Sequence, residues 1–187
     1  MHRSKLNLFF LVLIILFLPV SVGAQEPTDT LRAFSNTEPQ KTENDSLSMQ
    51  NAAKVEHIVN YAKKYLGTPY RSAGMTPSGF DCSGFIGYIL GNFGLNLGRS
   101  SYTMAEYGKT VKLSEIQPGD LMFFKGSNVK STRVGHVGMV VEVSEEGIKF
   151  IHSSTSRGVI IDNFKTSRYY IPRYVTTKRL DFGNSGK

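Results

Sequence analysis

The chain has 187 residues, 40% of them hydrophobic and 20% charged, so it carries enough apolar material for one sizeable core. Its single cysteine, Cys82, excludes an internal disulfide. The net charge of +7 is uneven: residues 54–187 hold 18 Lys and Arg against 10 Asp and Glu, while residues 25–53 hold 2 against 5.

The N-terminus opens on Arg3 and Lys5, followed by an apolar run from Leu6 to Val22 and small residues at Val22-Gly23-Ala24. This pattern predicts a signal peptide over residues 1–24, with the mature chain starting near Gln25. Pro19 fits a cleaved signal better than a spanning helix; an uncleaved membrane anchor is the alternative. No cysteine follows the run, so a lipid-modified N-terminal cysteine is excluded. The expected location is the periplasm or cell envelope, with no integral span after cleavage. A lone unpaired thiol in an exported protein is a chemical liability, which argues that it is used. Residues 25–52, rich in Thr, Glu, Asn, Gln and Ser with Pro27 and Pro39, read as a disordered linker. The basic remainder suits an anionic polymer or an acidic membrane surface, or is a solvated face with no partner. No nucleic-acid recognition motif is present.

A folded domain is expected over residues 53–182, with a flexible tail at 183–187. Val55, Ile58, Val59, Ala62, Tyr65 and Leu66 recur at helical spacing, and Gly67 and Pro69 stop that helix. Thr68 to Phe80, with Pro69, Gly74, Pro77 and Gly79, reads as a loop. It feeds a second helix. From Cys82 an apolar stripe continues through Phe85, Ile86, Ile89, Leu90 and Phe93, the spacing of one buried helix face. Asp81 stands at the N-cap position and Gly94 at the C-cap. Cys82 then lies in the first turn, where unpaired N–H groups and the helix dipole favour a thiolate. Gly84, Gly87 and Gly91 inside the helix point to a close approach by another backbone or a substrate. The plainer reading of Cys82 is a small buried hydrophobe.

Arg99-Ser100-Ser101 reads as the cap of a short third helix ending near Gly108. Beyond the turn at Pro118-Gly119 the pattern changes to strands: Asp120–Phe124, a run through Val137, Met139, Val141 and Val143, then Ile148–His152, Val159–Ile161 and Arg173–Thr177. Helices followed by consecutive strands imply an α+β domain with an antiparallel sheet. His136 falls on the face opposite the valines, with Gly138 leaving room beside it; Ile148, Phe150 and His152 share a face. A lone strand histidine is commonly structural. Two on paired strands, in a chain with a cysteine at a helix start, are the parts of cysteine catalysis: a nucleophile, a base and a group that orients the base. A zinc site is the rival use, but no metal-ligand spacing such as HExxH is present. His57, on the first helix, is the other histidine of the mature chain.

Leu66-Gly67-Thr68-Pro69-Tyr70, Asp81-Cys82-Ser83-Gly84-Phe85, Pro118-Gly119-Asp120-Leu121, Gly135-His136-Val137-Gly138 and Ile151-His152-Ser153-Ser154, in this order and spacing, resemble the NlpC-type cell-wall cysteine peptidases. The resemblance covers residues 54–180 and is nearest the single-domain periplasmic members. It implies a papain-like fold with Cys82 as nucleophile, His136 as general base then acid, and His152 as its orienting partner. It also implies that Tyr70 lies beside the thiol, that Asp81 and Ser83 help hold the stem peptide, and that no metal or cofactor takes part. The implied substrate is a peptidoglycan stem peptide, cut next to its diamino acid and acted on by a monomer. Where the family has paired glycines after the tyrosine, this chain has Ala73-Gly74. A wall-binding module without turnover, or a papain-like amidase or acyltransferase, are the alternative functions.

Overall fold

The computed structural model describes residues 39–182. The expected signal segment, the linker as far as residue 38 and the tail at 183–187 lie outside them. Among the described residues no helix is long and apolar enough to cross a membrane.

Helix α1 (Pro39–Lys63) buries Ile58, Val59 and Ala62 against the rest of the domain. It corrects the expectation of an unstructured segment to residue 52. Its first half is too polar to form a core, and residues 45–50 are exposed, but Lys, Glu, Gln, Leu, Met and Ala are good helix formers. Once the packed half is fixed, helix propagates backwards along such a sequence without a new nucleus.

The segment between α1 and the cysteine helix is not wholly a loop. Met75–Thr76 (β1) and Gly79–Phe80 (β2) form a small antiparallel hairpin. The Leu66–Tyr70 motif docks on the sheet through two backbone bonds, Gly67 N–H to the Val159 carbonyl and Val159 N–H to the Thr68 carbonyl, both 2.9 Å. The buried Ser153 hydroxyl donates to the Phe80 carbonyl at 2.8 Å. These bonds fix where the next helix starts.

Helix α2 (Cys82–Gly91) follows at once. Phe85, Ile86, Ile89 and Leu90 are fully buried, each stabilising the fold by roughly 1.5–3 kcal/mol. The chain then turns off through Gly94, whose N–H bonds to the Gly91 carbonyl while that of Leu95 reaches Leu90, a Schellman closure with Gly94 at φ +82°. Of the three internal glycines only Gly84 serves a close approach: a Cβ there would lie 2.0 Å from the Gly74 carbonyl oxygen. At Gly91 the space is open. Helix α3 is a single turn, Ser101–Met104, capped by the Ser100 side chain. It stops short of the expected Gly108, and a short strand missed in the sequence, β3 (Lys109–Val111), follows it.

Strands β4 (Leu121–Lys125), β5 (Val134–Ser144), β6 (Gly147–Ser154) and β7 (Gly158–Asn163) form an antiparallel meander, and β8 (Tyr174–Arg179) returns to lie between β3 and β4. The order is β3-β8-β4-β5-β6-β7. One face, with Leu121, Phe123, Val137, Met139, Val141 and Ile151, packs on α1 and α2. Val143, expected on that face, is exposed, because the register slips between Val140 and Glu142. The other face carries Met122, Phe124, Val140, Phe150, Phe164 and Tyr170. The result is the expected α+β, papain-like arrangement: a cysteine helix against an antiparallel sheet.

Candidate active site

The cysteine is placed by its cap. The Asp81 side chain accepts the Gly84 N–H at 2.6 Å, and the Asp81 carbonyl takes that of Phe85. This leaves the Cys82 and Ser83 N–H groups of the first turn free to face the sulfur. The Val137 backbone N–H faces it from the sheet. That N–H belongs to the peptide joining His136 to Val137, so the sulfur sits against the backbone of β5 next to His136.

These donors do not make Cys82 a resting thiolate. Burial pushes its thiol up, and the Asp81 charge adds to the rise; the three N–H groups oppose both without winning. Burial raising the thiol and the helix-start N–H groups favouring the thiolate thus act in opposite directions.

His136 and His152 meet as expected. They stand on adjacent strands of the face away from α2, with His136 Nε2 3.1 Å from His152 Nδ1. Gly138, beside His136 on β5, makes room for this: a Cβ there would lie 2.7 Å from a Phe150 ring carbon and 3.0 Å from the His152 Cβ. Phe150 stacks on His152 with centroids 4.9 Å apart, and Tyr170 on His136 at 5.7 Å. Burial, then the neighbouring His152, pushes His136 down to about 3. His152 is lowered by its own burial, against the pull of Asp162. Both rings are thus neutral at physiological pH.

Two charged residues join the site that the sequence reading did not assign to it. Asp162 accepts from His152 Nε2 at 3.1 Å and takes both guanidinium nitrogens of Arg157, at 3.1 and 2.7 Å. Its carboxyl is held down at about 2, by His152 first and Arg157 next. The signal for it was strand parity: Asp162 lies two residues past Ile160, the register partner of His152, and so shares its face. Arg99 is the other. It grips the Asp81 carboxylate with both nitrogens, and its Nη1 donates to the Ser83 hydroxyl at 3.0 Å. Sequence distance concealed this pairing.

Tyr70 is half-buried beside the helix start, held by a bridge to Phe80, and its phenol is pushed up by burial and by the charges of Cys82 and Asp81. His57 is exposed on α1. Among the described residues no group of three His, Cys, Asp or Glu side chains could hold a metal ion. A cleft of about 560 Å³ opens beside His136, with Lys125, Arg157, Asp162 and Tyr169 in its wall.

The arrangement offers a nucleophile at the start of a helix, a neutral imidazole able to accept its proton, and a second imidazole behind the first. The profile of the NlpC/P60 family matches residues 67–179. Murein DD-endopeptidase MepS/murein LD-carboxypeptidase of Escherichia coli strain K12 is 34% identical over 133 residues, covering 71% of this chain and 66% of that protein. Gamma-DL-glutamyl hydrolase of Bacillus subtilis is 36% identical over 126 residues, 67% of this chain but 30% of that one. The chain therefore spans from about a third to two thirds of the length of these curated relatives. A crystal structure of an NlpC/P60 family protein from Bacillus cereus matches with a TM-score of 0.59 at 33% identity, over 67% of this chain and 39% of that one. With profile, relatives and fold in agreement over the segment that carries Cys82, His136 and His152, this chain belongs to the NlpC/P60 family.

Proposed function

We propose that the protein is an exported cysteine peptidase that hydrolyses peptidoglycan stem peptides next to the diamino acid. The observation that carries this reading is the seating of Cys82 against the His136–Val137 peptide, with His152 bonded behind His136.

In this reading the Cys82 thiol gives its proton to His136 as the sulfur attacks the substrate carbonyl. The charge on the carbonyl oxygen is met by N–H groups of the α2 start, and the Tyr70 phenol lies beside it. His136, now an imidazolium, protonates the leaving amine, and the acyl-enzyme remains. His136 then takes a proton from water, the resulting hydroxide attacks the thioester, and the thiol is regenerated. His152 orients His136 throughout. No metal or cofactor is required. Because the resting pair is neutral, proton transfer accompanies attack instead of preceding it.

Asp81 and Ser83 contact the stem peptide on the acyl side, backed by Arg99. Their mutual bonds support a rigid, polar shelf. The Escherichia coli relative carries the name of a DD-endopeptidase, which favours the D-alanyl–diaminopimelate cross-link over the D-glutamyl–diaminopimelate bond. The basic folded part suits an anionic wall polymer. Residues 1–24 act as the export signal, and the mature chain works as a monomer in the periplasm or envelope.

Mass spectrometry of cross-linked peptidoglycan digested by the purified protein tests the reading. Cross-linked dimers should convert to monomers, and Cys82→Ala should abolish the change. An unaltered muropeptide profile, or casein cut as fast as muropeptides, overturns it.

A further inference from the structure

We propose that Asp162, clamped by Arg157, is a positioning residue that fixes the ring tautomers of both His152 and His136 and so leaves a bare nitrogen for the Cys82 proton. The inference rests on the peptidase reading for its use in turnover, but its structural core does not.

The argument follows the donors and acceptors along one chain of contacts. Arg157 gives Asp162 two parallel N–H bonds, at 3.1 and 2.7 Å, which hold the carboxyl ionised and aimed. An ionised carboxylate only accepts. His152 Nε2, 3.1 Å from Oδ2, must therefore carry the hydrogen. His152 is fully buried among Phe150, Tyr170 and His136, a setting that keeps it neutral. A neutral ring has one hydrogen, so His152 Nδ1 is a lone pair. Two neighbours agree with that assignment. His136 Nε2 approaches this nitrogen at 3.1 Å, and the Tyr170 hydroxyl, which can donate, at 3.5 Å.

The same logic passes to the next ring. His136 Nε2 must donate to His152 Nδ1, so it holds the hydrogen of the neutral His136. Its Nδ1 is then bare and able to accept a proton. The reverse arrangement, with His152 protonated on Nδ1, would place a hydrogen against His136 Nε2. That ring would then carry its own hydrogen on Nδ1 and could not serve as base. Asp162 selects between the two. When His136 becomes an imidazolium, the Asp162 charge also stabilises it through His152, consistent with the upward pull of Asp162 on His136.

Arg157 prevents a competing outcome. A lone carboxylate beside a buried imidazole could share or take up its proton. The guanidinium keeps Asp162 ionised, and it lies on the exposed rim, where it needs no further partner.

The test starts with the substrate-free wild-type protein, uniformly labelled with nitrogen-15. Long-range proton–nitrogen correlation at neutral pH should show His152 and His136 both protonated on Nε2. Either ring protonated on Nδ1 overturns the proposal, whatever the protein does to peptidoglycan. If the tautomers are as stated and peptidoglycan is untouched, the proposed function fails while this inference stands. The second arm compares Asp162→Ala and Asp162→Asn with the wild type. Each should lower kcat roughly 10-fold or more with KM within about twofold, because no contact to substrate is lost. The acid limb of the pH profile should move to lower pH, since protonated His136 loses a stabilising charge. In Asp162→Asn the amide can donate as well as accept, so His152 should show the Nδ1-protonated form. A folded Asp162→Ala variant with kcat within threefold of wild type and an unmoved pH profile overturns the proposal.

Discussion

The carboxylate of Asp81 does two things: one oxygen caps the cysteine helix at Gly84 N–H, 2.6 Å away, and both are gripped by Arg99. Its charge also works against the neighbouring thiolate. Asp81→Asn keeps an oxygen at the cap but removes the charge, leaving Arg99 uncompensated beside the sulfur. Both changes favour the thiolate. Alkylation of Cys82 by iodoacetamide near neutral pH should accelerate several-fold, while stability falls by less than about 1 kcal/mol. Asp81→Ala loses the cap as well and should fall by about 1–2 kcal/mol. Slower alkylation in Asp81→Asn would show that the helix start moves when the Arg99 clamp is lost.

The histidine pair makes stability depend on pH. In the unfolded chain both histidines take up protons at their ordinary value; in the folded protein both do so only at lower pH, His136 near 3. Over that interval the unfolded state binds more protons, so stability drops as pH falls below about 6.5 and is unaffected by these groups above it. Asp162, held at about 2, adds a second loss below its ordinary value near 4. Tm should therefore start to decline already between pH 6.5 and 5. His136→Gln, which has nothing to titrate there, should flatten that part of the curve. A wild-type Tm constant down to pH 4.5 would mean that the pair is more solvated than its surroundings indicate.

The three site residues should not be equal. Cys82→Ala removes the nucleophile, so turnover should fall to background. His136→Ala should fall nearly as far, since the members of such a site act as a unit. The side-chain partners of the His152 ring nitrogens are His136, Tyr170 and Asp162. His152→Ala should leave measurable activity, and His152→Gln should recover part of it, because an amide oxygen can still accept from the His136 ring. If folded His152→Ala is as inactive as Cys82→Ala, then His152 takes part in proton transfer itself.

Much of this site was legible in the sequence because it is built from local signals. The N-cap Asp81, the helical stripe from Cys82 and the glycine at 94 each follow from spacing alone, and strand parity placed His136 opposite Val137. What escaped was non-local or energetic. Arg99 and Asp81 are 18 residues apart, and no period links them. Asp162 fell one residue past the expected end of its strand. The return of β8 to the side of β4 is a choice among sheet orders that alternation does not make. The direction of the Cys82 shift depended on how deeply packing buries the thiol, which a helix-dipole argument does not supply. Helix α1 began earlier than expected because composition signals the lack of a core, not the lack of a helix.

The motif Pro118-Gly119-Asp120-Leu121 lies outside the site, and its role is architectural. Asp120 is buried, accepts the Gln117 N–H, and forms two bonds of 2.8 Å with Arg179 at the end of β8. This pair ties the returning strand to the start of β4. Arg179→Ala would leave a buried carboxylate without its partner. Arg179 is itself about a third exposed, so the loss should be about 2–3 kcal/mol rather than the most that a buried pair shows. Chemical denaturation checks this, and kcat of the folded fraction should be unchanged. A loss under about 0.5 kcal/mol would show that water replaces the guanidinium.

Two small residues before and within the cysteine helix should respond in opposite directions. Ala73 sits at φ +57°, a left-handed conformation in which its Cβ is strained. Ala73→Gly relieves that strain but gives the unfolded chain more freedom, so the net gain should be about 0.5–1 kcal/mol. Gly84 faces the same loop from the other side, with the Gly74 carbonyl where a Cβ would be. Gly84→Ala cannot be absorbed by rotating a side chain, because the obstacle is backbone. Either the loop or the helix start must move, at about 3 kcal/mol. Since Cys82 and the Asp81 cap share that first turn, kcat should fall together with Tm. Thermal unfolding of the two variants decides the matter: a higher Tm for Ala73→Gly and a lower one for Gly84→Ala. If Gly84→Ala keeps wild-type Tm and kcat, the loop does not clamp the nucleophile's helix as its contacts indicate.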